Sequence, residues 1–118
     1  MAGSLLYEEL DEMNEVIFVQ NGVIDIGFAI NKIKKYAPRF ESKYVLGAYN
    51  CTFNERSMFI YKCKTECSGY YLRKYTWKNL LDDYPIIQEI IQKHLKDDNL
   101  KLMRQVQEVK AKYLFKIK

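Results

Sequence analysis

Two hydrophobic patterns divide the chain. Up to about residue 75 the apolar positions come in short β-branched and aromatic runs; beyond it they recur at helical spacing. The clearest runs are Val16-Ile17-Phe18-Val19 and Val23-Ile24-Asp25-Ile26-Gly27-Phe28, separated by Asn21-Gly22. Both central residues of a type I′ turn need positive φ, so Asn-Gly between β-formers predicts a tight hairpin. Residues 32–43 are polar and contain Pro38, which predicts a connection of irregular shape. An extended run resumes at Tyr44-Val45-Leu46-Gly47, and residues 50–55 read as a loop. Ser57-Met58-Phe59-Ile60-Tyr61-Lys62 is a strand by composition, residues 64–69 a turn, and Tyr70-Tyr71-Leu72-Arg73-Lys74-Tyr75 a further strand.

Thr76 is placed to cap a helix running from Trp77 through Leu80-Leu81 to Asp83. Pro85 suits the first turn of the next helix. That helix carries Ile86, Ile87, Ile90, Ile91 and Leu95 as one stripe, of which Ile86, Ile87, Ile90 and Ile91 are expected to pack on the roll with Trp77 and Leu81. Asp97-Asp98-Asn99 is expected to break or cap the chain. A last helix from Leu100 then has its own stripe at Leu102, Val106, Val109, Tyr113 and Ile117. Strands first and helices second predict an α+β fold, an antiparallel jelly-roll-like β-roll followed by C-terminal helices. The roll is placed at residues 5–75 and the helices, as a lid of the same single domain, at 76–118. Residues 1–4, Met1-Ala2-Gly3-Ser4, read as a cloning scar outside the fold.

The length of 118 residues suits one domain, and 48% apolar with 29% charged residues supports a packed core. No apolar run approaches the roughly 20 residues that span a bilayer, and no signal peptide opens the chain, because Leu5-Leu6-Tyr7 runs straight into acidic residues. Three cysteines, Cys51, Cys63 and Cys67, are an odd number for a secreted disulfide framework. Cys63 and Cys67 form a C-x3-C pair that no second pair or nearby His completes as a zinc site, so reduced thiols in a cytoplasmic domain are expected. The net charge of +4 hides an asymmetry: six acidic and no basic residues precede Lys32, whereas eight Lys/Arg and three Asp/Glu lie from Lys93 onward. Those basic residues are spaced along a helix and read as its solvated face. The tyrosines lack interleaved basic residues, so nucleic-acid binding is not expected. The one His, His94, falls on a polar helix face, and no nucleophile elbow, phosphate-binding P-loop or HExxH appears, so the chain is not expected to be an enzyme.

The order of these segments resembles the cyclic nucleotide-binding domain. The matching segments are residues 16–27, a strand, a Gly turn and a second strand, and then Leu46-Gly47-Ala48-Tyr49 at the opening of the phosphate cassette. Arg56-Ser57-Met58-Phe59-Ile60 follows, then residues 77–85, a helix ending before Pro85. The wording of residues 25–32 and 69–77 is similar to the domains of ciliate voltage-gated potassium channels, over roughly residues 6–114. The usual leading helix and first strand are missing from this stretch, which is expected of a truncated piece. The resemblance implies a cytoplasmic regulatory domain of a cation channel, a potassium channel by the closer match, attached to the rest of a channel polypeptide at a membrane's cytoplasmic face. It implies coupling of ligand binding or subunit contacts in a homo-oligomer to gating, with cAMP or cGMP as ligand and no cofactor. The implied site comprises Gly47, Ala48, Tyr49, Asn50, Arg56, Ser57, Leu102 and Val106. Arg56 matches the phosphate-pairing Arg, since a buried cyclic phosphate needs a guanidinium or several N–H donors. Ala48 and Tyr49 stand where the family has an acid for the ribose, so the ribose grip is expected to be weak. Channel domains of the ether-à-go-go type share this fold without binding nucleotide, which keeps a ligand-free assembly module as the alternative.

Overall fold

The computed structural model describes residues 3–30, 32–41 and 44–117. In chain order the elements are β1 (Leu5–Tyr7), β2 (Glu15–Asn21), β3 (Val23–Ile30), β4 (Ile33–Glu41), β5 (Tyr44–Leu46), α1 (Ala48–Phe53), β6 (Ile60–Cys63), β7 (Ser68–Arg73), α2 (Lys74–Asp83) and α3 (Pro85–Ile117). The strands form two antiparallel sheets, β1-β6-β3-β4 and β5-β2-β7. The expected α+β roll with C-terminal helices is what the chain adopts.

Alternation explains the core. Along β3, Ile24, Ile26 and Phe28 point the same way and are fully buried. They meet Val19 of β2, Leu46 of β5 and Tyr61 of β6, and α3 closes the same cluster with Leu102 and Val106. A second, smaller cluster joins Val16, Ala48 and Cys51, with Phe18, Trp77 and Leu95 packed on it.

Several local expectations are corrected. Asn21-Gly22 is not a hairpin. β2 pairs with β5 and β7 while β3 pairs with β4 and β6, so the dipeptide turns the corner between sheets. The reason for glycine survives the correction. Gly22 has φ 116, and a Cβ there would lie 2.5 Å from Cys67 Sγ and 2.7 Å from the Glu66 carbonyl oxygen. The two-residue hairpin falls later, where Ile30 pairs with Ile33 and Lys32 adopts φ 67. Residues 33–41, expected to be irregular, form β4. Pro38 is tolerated because β4 is an edge strand and a register shift falls between Asp25↔Arg39 and Gly27↔Tyr36.

Residues 48–53, partly read as loop, form α1. The strand expected from Ser57 begins at Ile60. α2 starts at Lys74 after Arg73, without a side-chain cap, so Thr76 is not its N-cap; the Lys74 N–H instead donates to the Asn14 carbonyl at 2.7 Å. α3 runs unbroken through Asp97-Asp98-Asn99. Asp97 and Asp98 face solvent, and each costs a helix only a few tenths of a kcal/mol. Packing of Leu95 before them and Leu102 after them outweighs that cost. Of the isoleucines expected to pack on the roll, Ile86, Ile87 and Ile90 are 78%, 51% and 55% exposed and Ile91 is half-buried, although Leu81 is buried. α3 reaches the two apolar clusters only from Leu95 onward. The side chains of Tyr113 and Ile117, and residues Met1 and Ala2, lie outside the described residues. No helix among the described residues is long and apolar enough to cross a membrane.

Candidate functional site

A cleft of about 640 Å³ opens between the α1 turn and α3. Its geometry begins at Gly47, which ends β5 and caps α1 in the left-handed region at φ 84. A Cβ at Gly47 would stand 2.5 Å from the Glu15 carbonyl oxygen, so only glycine lets the turn lie against β2. The turn is then fixed from inside. The Cys51 thiol donates to the Met13 carbonyl at 3.3 Å, and the Thr52 hydroxyl donates to the Ala48 carbonyl at 2.7 Å while accepting Trp77 Nε1–H at 2.8 Å.

Gly47, Ala48, Tyr49 and Asn50 line one wall of the cleft, with Phe18, Val19 and Gln20 of β2 beside them. Tyr44 and Tyr61 form part of the floor. Leu95, Asp98, Asn99, Lys101, Leu102 and Gln105 of α3 face them. Burial drives the Tyr44 phenol far above its usual range, with the Tyr61 and Asp98 charges adding to it, and burial alone does the same to Tyr61. Both therefore stay neutral hydroxyls. The lining combines aromatic and aliphatic surface with amides, and Lys101 is its one cation among the described residues. Such a cavity suits a compact ligand with a flat apolar part and a polar part.

Of the eight residues singled out in the sequence, five line this cleft: Gly47, Ala48, Tyr49, Asn50 and Leu102. The other three do not. Arg56 points elsewhere: Nη1 donates to the Leu10 carbonyl at 3.0 Å, Nη2 meets Glu12 Oε1 at 3.2 Å, and the side chain is 60% exposed. The Arg56 carbonyl does accept Asn50 Nδ2–H at 3.0 Å, so its backbone borders the α1 turn while its charge is held away. Ser57 is buried and donates its hydroxyl to the Phe59 carbonyl at 2.7 Å. Val106 is 1% exposed, one helical turn deeper in the core than Leu102. Tyr44, Tyr61, Phe18 and Lys101 were missed. They are remote in sequence, and only the meeting of β2, β5, β6 and α3 assembles them. No group of three metal-ligating side chains occurs among the described residues.

No protein-family model and no curated protein sequence matches the chain. Solved structures do. The cGMP-bound form of an EAL enzyme aligns with TM-score 0.70 at 10% identity, over 97% of this chain and 31% of that one. The regulatory domain of Toxoplasma gondii PKA with cAMP aligns with TM-score 0.66 at 12% identity, over 82% and 37%. The fold is that of the cyclic nucleotide-binding domain. The c-di-GMP responsive global regulator CLP of Xanthomonas campestris shares it, with TM-score 0.66 at 16% identity over 87% and 53%. At these identities the likeness concerns the cyclic nucleotide-binding fold itself, and the chain spans well under two thirds of each of these proteins.

Proposed function

We propose that the chain is a regulatory domain of a cation channel, a potassium channel by its sequence resemblance, working at the cytoplasmic face of a membrane. In this reading a cyclic nucleotide, cAMP or cGMP, occupies the cleft and changes how α3 lies on the roll. One observation carries it. Leu102 of α3 lines the cleft opposite Gly47–Asn50 and is also part of the roll's core, so whatever fills the cleft acts on the packing of α3. A ligand that binds one placement of α3 better than another shifts the population between them, which a tethered pore can sense. The base would lie against Leu102. The phosphate would draw Arg56 from Glu12 and the Leu10 carbonyl, an exposed arrangement costing about 1 kcal/mol or less to open. Without a carboxylate at Ala48 the ribose is gripped weakly, so affinity is low.

The second reading is an assembly module of the same fold that binds no nucleotide and acts through contacts between subunits. The diversion of Arg56 to Glu12 favours it. Calorimetry with cAMP and cGMP on this chain and on Arg56→Ala separates the two. The proposal expects weak saturable binding that Arg56→Ala abolishes, with slower amide exchange in α3 around Leu102. Binding that survives Arg56→Ala removes the phosphate assignment, and a folded chain with no binding favours the assembly reading.

A further inference from the structure

The cysteine pair noted in the sequence does not line the ligand cleft; it lies at the turn between β6 and β7. Cys63 ends β6 in one sheet, and Cys67 immediately precedes β7 in the other. Two of the three residues between them are pinned to the start of β3. The Lys64 N–H donates to the Val23 carbonyl at 2.9 Å, and the Val23 N–H donates to the Thr65 hydroxyl at 3.0 Å. This short clamp turns the chain back on itself. The Cys67 thiol approaches the Thr65 and Val23 carbonyls at 3.4 and 3.6 Å, and the same Val23 carbonyl accepts the N–H of Lys64, the residue after Cys63. The two thiols differ in access. Cys63 is 3% exposed, whereas Cys67 is half-buried. Both line an open cleft of about 210 Å³ with Leu6, Ile17, Ile24 and Tyr71.

We propose that Cys63 and Cys67 form an oxidisable dithiol that hydrogen peroxide converts to an intrachain disulfide across the β6–β7 corner. The Cys67 thiolate attacks one peroxide oxygen. The O–O bond breaks, Cys67 becomes a sulfenic acid, and the other oxygen leaves as water with the proton the thiol gave up. The Cys63 sulfur then attacks the Cys67 sulfur, the S–O bond breaks, and the Cys63 proton leaves with the hydroxyl as a second water. Two thiols lose two electrons and the peroxide gains them. Access decides the order: the half-exposed sulfur meets the oxidant, and the buried one resolves it. Burial, the main cause, pushes the Cys63 thiol up to about 11, which disfavours it as the first sulfur to be oxidised. The product would tie the strand leaving one sheet to the strand entering the other, beside the Gly22 corner.

Cys51 supplies the internal control. It is fully buried in the other cluster and its thiol is bonded to the Met13 carbonyl. The experiment treats the folded chain with hydrogen peroxide, quenches, denatures, alkylates free thiols and digests with trypsin. Cleavage after Lys62 and Lys64 places the two cysteines on separate peptides, so a bridge joins the Cys63-Lys64 dipeptide to residues 65–73. The expected result is that linked pair, reversed by dithiothreitol, with Cys51 alone alkylated. In Cys63→Ser the Cys67 sulfenic acid should persist long enough for dimedone to trap it. In Cys67→Ser both remaining cysteines should stay alkylatable. Oxidation of Cys67 to sulfinic acid while Cys63 stays free, or bridges only between chains, would overturn the proposal. So would equal oxidation of Cys51 and Cys67.

Discussion

Two substitutions on the one helix α3 separate its docked part from its bare part. Val106 is 1% exposed inside the roll, and Ile90, sixteen residues earlier, is 55% exposed. Val106→Ala removes two buried carbons, a transfer loss of about 1.6 kcal/mol at about 0.8 kcal/mol each. A residual hole of about 40 Å³ at about 24 cal/mol per Å³ adds about 1 kcal/mol. Alanine's better helix propensity returns about 0.5 kcal/mol, leaving a cost of about 2 kcal/mol. Ile90→Ala removes more carbon, but from a side chain that keeps over half its surface in water, and it recovers a similar propensity. Its cost should be about 0.5 kcal/mol or less. Urea unfolding followed by the fluorescence of Trp77, the one tryptophan, reads both. With a slope of about 1.5 kcal/mol per molar urea, the midpoint should fall by about 1.3 M for Val106→Ala and by about 0.3 M or less for Ile90→Ala. Equal shifts would refute the placement of α3. A Val106→Ala midpoint unchanged from the parent would mean that the helix does not close the core at all.

Two further outcomes follow from single positions. Gly22→Val should destabilise by about 2 kcal/mol or more in the same urea assay, since it forces a branched side chain to φ 116 and against Cys67 and the Glu66 carbonyl; unchanged melting would remove the corner geometry. The chain should also lose stability in alkali. Burial, then the charges of Glu15, Cys51 and Asp11, push the Tyr7 phenol up to about 12, and burial lifts Tyr44 and Tyr61 higher still. The folded state therefore favours the protonated phenols. Their contribution is complete below pH about 10 and is lost as pH climbs from there through 12. Phenolate absorbance should show a late step coinciding with the unfolding change in Trp77 fluorescence; a smooth titration of all tyrosines at the usual phenol value counts against it.

The sequence carried the order of elements and the identity of the core more clearly than the pairing of strands. Ile24, Ile26 and Phe28 alternate as a buried face must, and no partner need be known to see it. Alternation does not say which strand lies alongside, so Asn21-Gly22 read as a hairpin when it is a corner. Its glycine serves either geometry. Residues 48–53 hid their helix because Asn50, Cys51, Thr52 and Phe53 are weak helix formers; the burial of Cys51 against Val16 and the Thr52 hydroxyl bond to Ala48 hold it instead. The isoleucine stripe of α3 shows a similar limit. Period reveals a face but not whether anything covers it. Gly47 could be singled out from the sequence as a turn, whereas the direction of Arg56 depended on Glu12, forty-four residues away, and on the Leu10 carbonyl.

The unbroken passage of α3 through Asp97-Asp98-Asn99 bears on the proposed regulation. At about 1.5 Å per residue, its 33 residues extend for about 50 Å, comparable to the 52 Å longest dimension of the described chain. Leu95 packs on the α1 cluster, and Leu102 lies about 10 Å further along the same rod, against the cleft. A break at Asp97 would separate these contacts, and a ligand at Leu102 would then move only the residues beyond the break. In a continuous helix the two contacts constrain one body, so a displacement at Leu102 is shared with the exposed turns at Ile86, Ile87 and Ile90. The exchange measurement on the liganded chain distinguishes these cases within the channel-domain reading. Changes reaching residues 86–91 would mean that the rod hands the cleft's occupancy to its bare face, while changes confined to the stretch after Asp97 would mean that the helix bends there and the bare face takes no part.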